Sequence, residues 1–229
     1  ESHSLPNNVI NYTLRDPLGV VGCISPWNYP LHLLTWKIAP ALVIGNCVIA
    51  KPSEVTPMTA HLFSKVCIKA GLPKGVLNIL HGSGHKVGQE IVEHPDIKAI
   101  SFTGGTKTGK IISKTASSLL KKVSLELGGK NPIMVFDDCN YHEMLKTTIR
   151  SSFGNQGQIC LCGERIFIQE SIYDKFKKDF IKEAKKLKIG DPLKSTTNQG
   201  AIVSKQHYDK ILLYFEGVRD SGAKFILGG

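Results

Sequence analysis

Cys160 stands in the polar, glycine-containing run Asn155-Gln156-Gly157-Gln158-Ile159-Cys160, at the end of a helical stretch. A thiol in such a loop is better placed to act as a nucleophile than Cys47 or Cys67, whose apolar neighbours make them small core residues. A nucleophile needs a base and a donor for the oxyanion it creates. No histidine holds a helpful position, so a Cys–His pair is not indicated. Glu126 is the one carboxylate in the apolar run Leu125-Glu126-Leu127, before Gly128-Gly129. A carboxylate there must be solvated, held in an ion pair, or functional. Cys162 follows Cys160 as a lone C-x-C with no second Cys or His pair, which disfavours zinc. His81 and His85 are four apart, but Gly82 and Gly84 lie between them, so a metal-binding helix is not expected there, and no metal is expected.

Three loops have the composition of anion or nucleotide sites. Gly82-Ser83-Gly84-His85-Lys86-Val87-Gly88 follows an apolar run and opens a helix, one residue longer than the G-x-G-x-x-G fingerprint. It reads equally as a turn needing positive φ. Gly104-Gly105-Thr106-Lys107-Thr108-Gly109-Lys110 fits G-x-x-x-x-G-K, but Ile111 stands where a magnesium-holding hydroxyl belongs. That favours a helix start near a phosphate over a nucleotide hydrolase. Lys51-Pro52-Ser53-Glu54 ends a strand. It reads as a capped loop, or as a Lys and an acid that hydrogen-bond ribose hydroxyls and disfavour a 2′-phosphate.

The elements that must position these groups alternate. Strands are expected at 19–25, 46–50, 76–80 and 97–102. Helices are expected at 31–44, 59–70, 86–93 and 106–120, the first kinked or divided at Pro40. Strand and helix in turn predict a parallel sheet covered on both faces, with ligands beyond the carboxyl ends of its strands. Further strands are expected at 123–127, 132–136 and 165–169, and a strand-like stretch at 224–227. A helix capped by Asp137 or Asp138 should reach Ser152. Ile172, Phe176, Phe180, Ala184 and Leu187 recur at helical spacing beside the seven lysines between Tyr173 and Lys188, an amphipathic helix with a solvated basic face. This local run accounts for much of the net charge of +10 and carries no aromatic-studded groove, so nucleic acid is not an expected partner. No apolar run reaches the roughly 20 residues of a membrane span, and no membrane partner is expected. The six irregularly spaced cysteines fit reduced thiols in the cytoplasm.

Taken in order, Pro26-Trp27-Asn28-Tyr29-Pro30, Lys51-Pro52-Ser53-Glu54, Phe102-Thr103-Gly104, Leu125-Glu126-Leu127-Gly128-Gly129-Lys130 and Gly157-Gln158-Ile159-Cys160 together resemble the aldehyde dehydrogenase superfamily. The resemblance runs from about Tyr12 to Gly229. It implies an α/β protein: a Rossmann-like parallel-sheet cofactor domain (1–127), followed by part of a second α/β catalytic domain (128–229). It also implies a reaction, the NAD-dependent oxidation of a small-molecule aldehyde to an acid. In this scheme Cys160 attacks the aldehyde. Asn28 and the Cys160 N–H hold the oxyanion. Glu126 activates the water that hydrolyses the thioester. Lys51 and Glu54 resemble the ribose-binding pair of NAD rather than NADP users. Trp27, Gly84, Phe102, Gly104, Thr106 and Leu127 are implied at the cofactor site. Gly105 departs from the phosphate-binding Ser of many members. Arg150-Ser151-Ser152-Phe153, Asn155-Gln156-Gly157 and Ile159-Cys160-Leu161-Cys162 resemble the 2-aminomuconic semialdehyde subgroup of tryptophan–kynurenine breakdown, with betaine-aldehyde and retinal-type enzymes as alternatives. Family members are longer. The N-terminal part of the cofactor domain, an E-x-F-G-P motif and the C-terminal substrate-tunnel part are expected to be missing, which predicts exposed apolar surface and little turnover of this chain. A homo-oligomer is expected of the full-length protein. Two other classes remain: a P-loop-like nucleotide-binding protein and an inactive fragment.

Overall fold

The computed structural model describes residues 2–5 and 9–228. The chain divides into two compact units, Glu1–Glu126 and Leu127–Gly229. The fold is mixed α/β, as the alternation of apolar runs and amphipathic stretches requires.

In the first unit β1 (Ser2–Leu5) and β2 (Val9–Tyr12) form an antiparallel pair that no sequence pattern announces. The main sheet has the order β5-β4-β3-β6-β7, with β3 Val20–Ile24, β4 Cys47–Lys51, β5 Leu77–Ile79, β6 Ile97–Gly104 and β7 Lys122–Leu127. Pairs β3–β4, β3–β6 and β4–β5 are parallel. Alternate residues of β3 serve opposite layers. Val21 and Cys23 pack with Leu34 and Ile38 of α1 (Pro30–Val43) and Ala60 of α2 (Met58–Lys69). A side chain at Gly22 would instead strike Ile91 and Ile100, so α3 (Gln89–Glu93) approaches the bare backbone of β3 from the other face. Glycine is needed there for closeness.

Helix α1 begins with Pro30 at its first position, where the missing N–H costs nothing. It runs through Pro40 undivided, so of the two expected outcomes the division does not occur. Trp36, whose carbonyl loses its donor, and Pro40 both lie on the exposed side, where water can serve that carbonyl. Helix α4 (Thr106–Ser118) ends in paired turns: Lys121 N–H donates to Ala116 O at 3.0 Å and Leu120 N–H to Ser117 O at 3.1 Å. These place Leu120 at φ 53°, a left-handed position usually given to glycine.

The second unit pairs β8 (Asn131–Val135) with β9 (Gly163–Ile168) in parallel. Val135, Leu145 and Phe176 form its core between this pair, α5 (Tyr141–Phe153) and α6 (Tyr173–Ala184). Asn140 caps α5 by accepting from Glu143 N–H; Asp137 and Asp138, the expected caps, lie too early in the chain to reach it. Helix α6 stops at Ala184, short of Lys188. A further helix, α7 (Lys205–Asp220), is capped by Ser204. The stretch 224–227 is irregular rather than a strand, having no partner strand among the described residues. No described helix is long and apolar enough to cross a membrane.

Candidate active site

Strand register brings the cofactor candidates level. Ile24 is paired with Lys51 on one side and with Phe102 on the other, so the loops leaving β3, β4 and β6 open at one edge of the sheet. Between them lies a cavity of about 440 Å³, of the size that holds a small ligand. Trp27, Lys51, Glu54, Gly84, Phe102 and Gly104 all line it. Thr106 and Leu127 do not. Thr106 is the first residue of α4, and Leu127 is the half-buried last residue of β7.

Lys51 is buried, with 3% of its side chain exposed, and its ammonium donates to Pro52 O at 3.0 Å and to Glu54 Oε2 at 3.2 Å. Its stem lies against Gly88. Partial burial pushes the Glu54 carboxyl up. Hydrogen bonds from backbone N–H groups, one of them at Gly84, and the Lys51 charge outweigh this and hold it below the usual carboxylate range. Glu54 thus ties the β4–α2 loop to the π-helical turn Gly84–Gly88 that precedes α3. Two residues escaped the sequence reading. Ser25 is 4% exposed, lines the cavity, and its Oγ has no hydrogen-bond partner among the described residues. Lys37, on the otherwise apolar face of α1, is buried and donates to Ser101 Oγ at 3.1 Å. Burial lowers its pKa, opposed by the charges of Cys23 and Glu126. A lysine at a core position of an amphipathic helix was the available signal.

The P-loop reading fails on geometry. Strand β6 runs through Gly104 and α4 starts at Thr106, so a single residue separates them. Gly109 and Lys110 are inside the helix, and no loop is left to wrap a triphosphate. What remains is a helix N-terminus opening at the cavity, with Gly105 before it.

Glu126 lies on the exposed face of β7, with Val123, Leu125 and Leu127 on the half-buried face. Solvation therefore accounts for a carboxylate in this apolar run. Asn28 is half-buried in the loop after β3.

In the second unit Cys160 is exposed and Cys162 buried. Burial raises the Cys162 thiol above its usual pKa, helped by the Glu164 and Cys160 charges and opposed by a hydrogen bond from the Ile159 backbone. Cys160 sits after a short 3₁₀ turn, Gly154–Gly157, in which Asn155 and Gln156 have left-handed φ of 49° and 58°. Asn131 Nδ2 donates to Cys160 O at 2.6 Å and to Cys162 O at 2.9 Å. A larger cavity of about 1060 Å³ in this unit is walled by Phe176, Phe180, Ile181 and Tyr208. Its hydrocarbon lining does not include Cys160, so it is not where the thiol would work. Among the described residues no three His, Cys, Asp or Glu side chains are placed to hold a metal.

The aldehyde dehydrogenase family profile matches residues 1–229. The chain is 50% identical to 2-aminomuconic semialdehyde dehydrogenase of Mus musculus over 96% of its own length and 45% of that protein, and so spans less than half of that relative. Its fold superposes on an aldehyde dehydrogenase from Bacillus cereus solved as an NAD+ complex, with a TM-score of 0.94 and 36% identity, covering 97% of this chain and 45% of that one. It also superposes on betaine aldehyde dehydrogenase from Staphylococcus aureus in complex with NAD+, with a TM-score of 0.90 and 40% identity over 93% of this chain and 42% of that one. A family match over residues 1–229 and the same fold at these identities have one reading: this chain belongs to the aldehyde dehydrogenase family.

Proposed function

We propose that the protein carrying this chain oxidises an aldehyde to a carboxylic acid with NAD. The observation that carries this reading is the cavity at the carboxyl edge of the parallel sheet, with the buried Lys51 paired to the solvent-facing Glu54 in its wall, in a chain of this family. The cavity fits a dinucleotide on three counts. Lys51 and Glu54 offer a donor and an acceptor for vicinal ribose hydroxyls. The acid disfavours a 2′-phosphate. The buried Ser25 Oγ has no partner among the described residues, and a bound polar group would supply one. NAD, when bound, supplies a two-electron acceptor.

The chain's own residues then divide the work. The Cys160 sulfur adds to the carbonyl carbon, forming a C–S bond and leaving charge on the oxygen. The Asn28 amide and the Cys160 N–H donate to that oxygen. Loss of two electrons and a proton from the adduct gives a thioester. Glu126 takes a proton from water, whose oxygen attacks the thioester carbon; the C–S bond breaks and the thiolate is returned. The exposure of Glu126 and Cys160 suits groups that must meet water and substrate. For the substrate we favour a semialdehyde of the 2-aminomuconate type, as in tryptophan–kynurenine breakdown, supported by 50% identity to the mouse protein. Betaine aldehyde is the second choice, on 40% identity to the bacterial structure. Six unpaired cysteines fit a reducing compartment such as the cytoplasm.

The test is mass spectrometry of the protein incubated with NAD and a reactive aldehyde. An acyl adduct on Cys160 alone, absent from Cys160→Ser and longer-lived in Glu126→Gln, is expected. Adducts spread over several cysteines would defeat the proposal.

A further inference from the structure

The segment that carries Cys160 gets little help from packing. Cys160 is exposed, residues 151–159 are only half-buried, and Asn155 and Gln156 hold backbone angles that L-residues adopt reluctantly. Such a segment keeps one shape only if other groups impose it. Two side-chain amides do so, from opposite ends. Gln199 Oε1 accepts from Gln156 N–H at 2.9 Å, and its Nε2 donates to Phe153 O at 2.6 Å. Asn131 spends both amide hydrogens on the Cys160 and Cys162 carbonyls. Neither amide can be turned round, since exchange of N and O would set oxygen against carbonyl oxygen.

The anchors are firm. Asn131 opens β8 and is register partner to Gly163 of β9, one residue after Cys162. Gln199 is fixed through its backbone, where its carbonyl accepts from Gly190 N–H at 3.0 Å and its N–H donates to Lys188 O at 3.0 Å.

We propose that Asn131 is a positioning residue for Cys160, and that Gln199 pins the upstream end of the same segment. The inference rests on the proposed role of Cys160 as nucleophile. Fixing the Cys160 carbonyl fixes the peptide that follows it. With the upstream turn also fixed, the directions of the Cys160 N–H and Sγ are set together. A nucleophile displaced by about 1 Å can lose a hundredfold in rate. Asn131 touches no reacting atom; it acts through the backbone of the residue that does.

The experiment uses the full-length protein with NAD and a reactive aldehyde, in wild type, Asn131→Leu, Asn131→Gln and Gln199→Leu. Asn131→Leu keeps the volume and removes both donors. Its kcat should fall about 10- to 100-fold while KM for NAD changes by less than about twofold. Asn131→Gln, which keeps the amide, should recover most of the loss. Deuterium exchange should accelerate in the peptide spanning 155–162 and not in β3–β6. If Asn131→Leu does not fold, Gln199→Leu carries the test from the other end and should lower kcat in the same way. A folded Asn131→Leu with wild-type kcat, or with exchange unchanged in 155–162, overturns the proposal. So does a KM for NAD that rises in step with the loss of kcat. A wild-type protein that oxidises no aldehyde overturns the proposed function, and the positioning role with it; wild-type activity with an indifferent Asn131 overturns the positioning role alone.

Discussion

Gly104 offers a test of the cofactor cavity that depends on one contact. A Cβ placed there would lie 2.4 Å from Phe102 Cζ and 3.1 and 3.2 Å from its ring neighbours. Carbons meet at about 3.5 Å, so in Gly104→Ala the ring must retreat by about 1.1 Å or turn away. Phe102 is 5% exposed, with packed neighbours on one side and the cavity on the other. Overpacking costs about 1–3 kcal/mol, more than the ~0.4–1 kcal/mol gained by removing glycine's freedom in the unfolded chain. If the core absorbs the ring, the thermal midpoint of the first unit falls by several degrees. If the ring swings into the cavity, the fold is spared and NAD binds about 5- to 150-fold more weakly, the equivalent of ~1–3 kcal/mol. Calorimetry reads both quantities. The control is next door: a Cβ at Gly105 meets nothing within 4 Å, and its φ of −73° suits alanine. Phe102→Leu in the Gly104→Ala background should restore whichever quantity was lost. Equal midpoints and equal NAD affinities in Gly104→Ala and Gly105→Ala would refute the stacking of Phe102 over Gly104.

Other expectations follow from single features. Leu120 is 94% exposed at the left-handed end of α4, so Leu120→Gly should stabilise the chain by about 1 kcal/mol in a denaturant titration. Lys51→Met keeps the buried stem but removes the ammonium; NAD binding measured by calorimetry should weaken about 10- to 100-fold, the worth of a charged hydrogen bond. Burial and the Asp179 carboxylate, which the Tyr141 hydroxyl donates to at 2.8 Å, push the Tyr141 pKa up from 10.0 to about 12. Between those values the unfolded chain releases a proton that the folded chain keeps, so stability falls as pH rises through that window. Tyr141→Phe should therefore lose less in thermal midpoint between about pH 9 and 11.5 than wild type does, by differential scanning fluorimetry.

The sheet was legible because its strands are short apolar runs between amphipathic helices, and tertiary packing here follows that local pattern. The strands 20–24, 47–51, 77–79 and 97–104 and the helices between them fall where periodicity puts them, to within a few residues. What stayed hidden depends on partners distant in sequence. The β1–β2 pair has four exposed residues in β2 and so no hydrophobic alternation to read. The strand-like pattern at 224–227 has no partner strand among the described residues. Helix α7 contains no fully buried residue, which left its apolar positions without a clear face. The two amide clamps join Asn131 to Cys160 across 29 residues and Gln199 to Phe153 across 46, and no local spacing encodes them. Lys37 was missed for a different reason: it falls on the buried face of α1, but lysine is among the residues least often buried, so its type argues against a core position.

The pattern of thiol burial gives the two units separate clocks. Cys23, 1% exposed and with its pKa raised by burial to about 11, belongs to the sheet of the first unit; Cys162, 2% exposed, belongs to the second. Neither can meet an alkylating reagent until its own surroundings come apart. Pulse labelling during denaturation, followed by peptide mapping, would therefore time the opening of each half in one sample without any engineered probe.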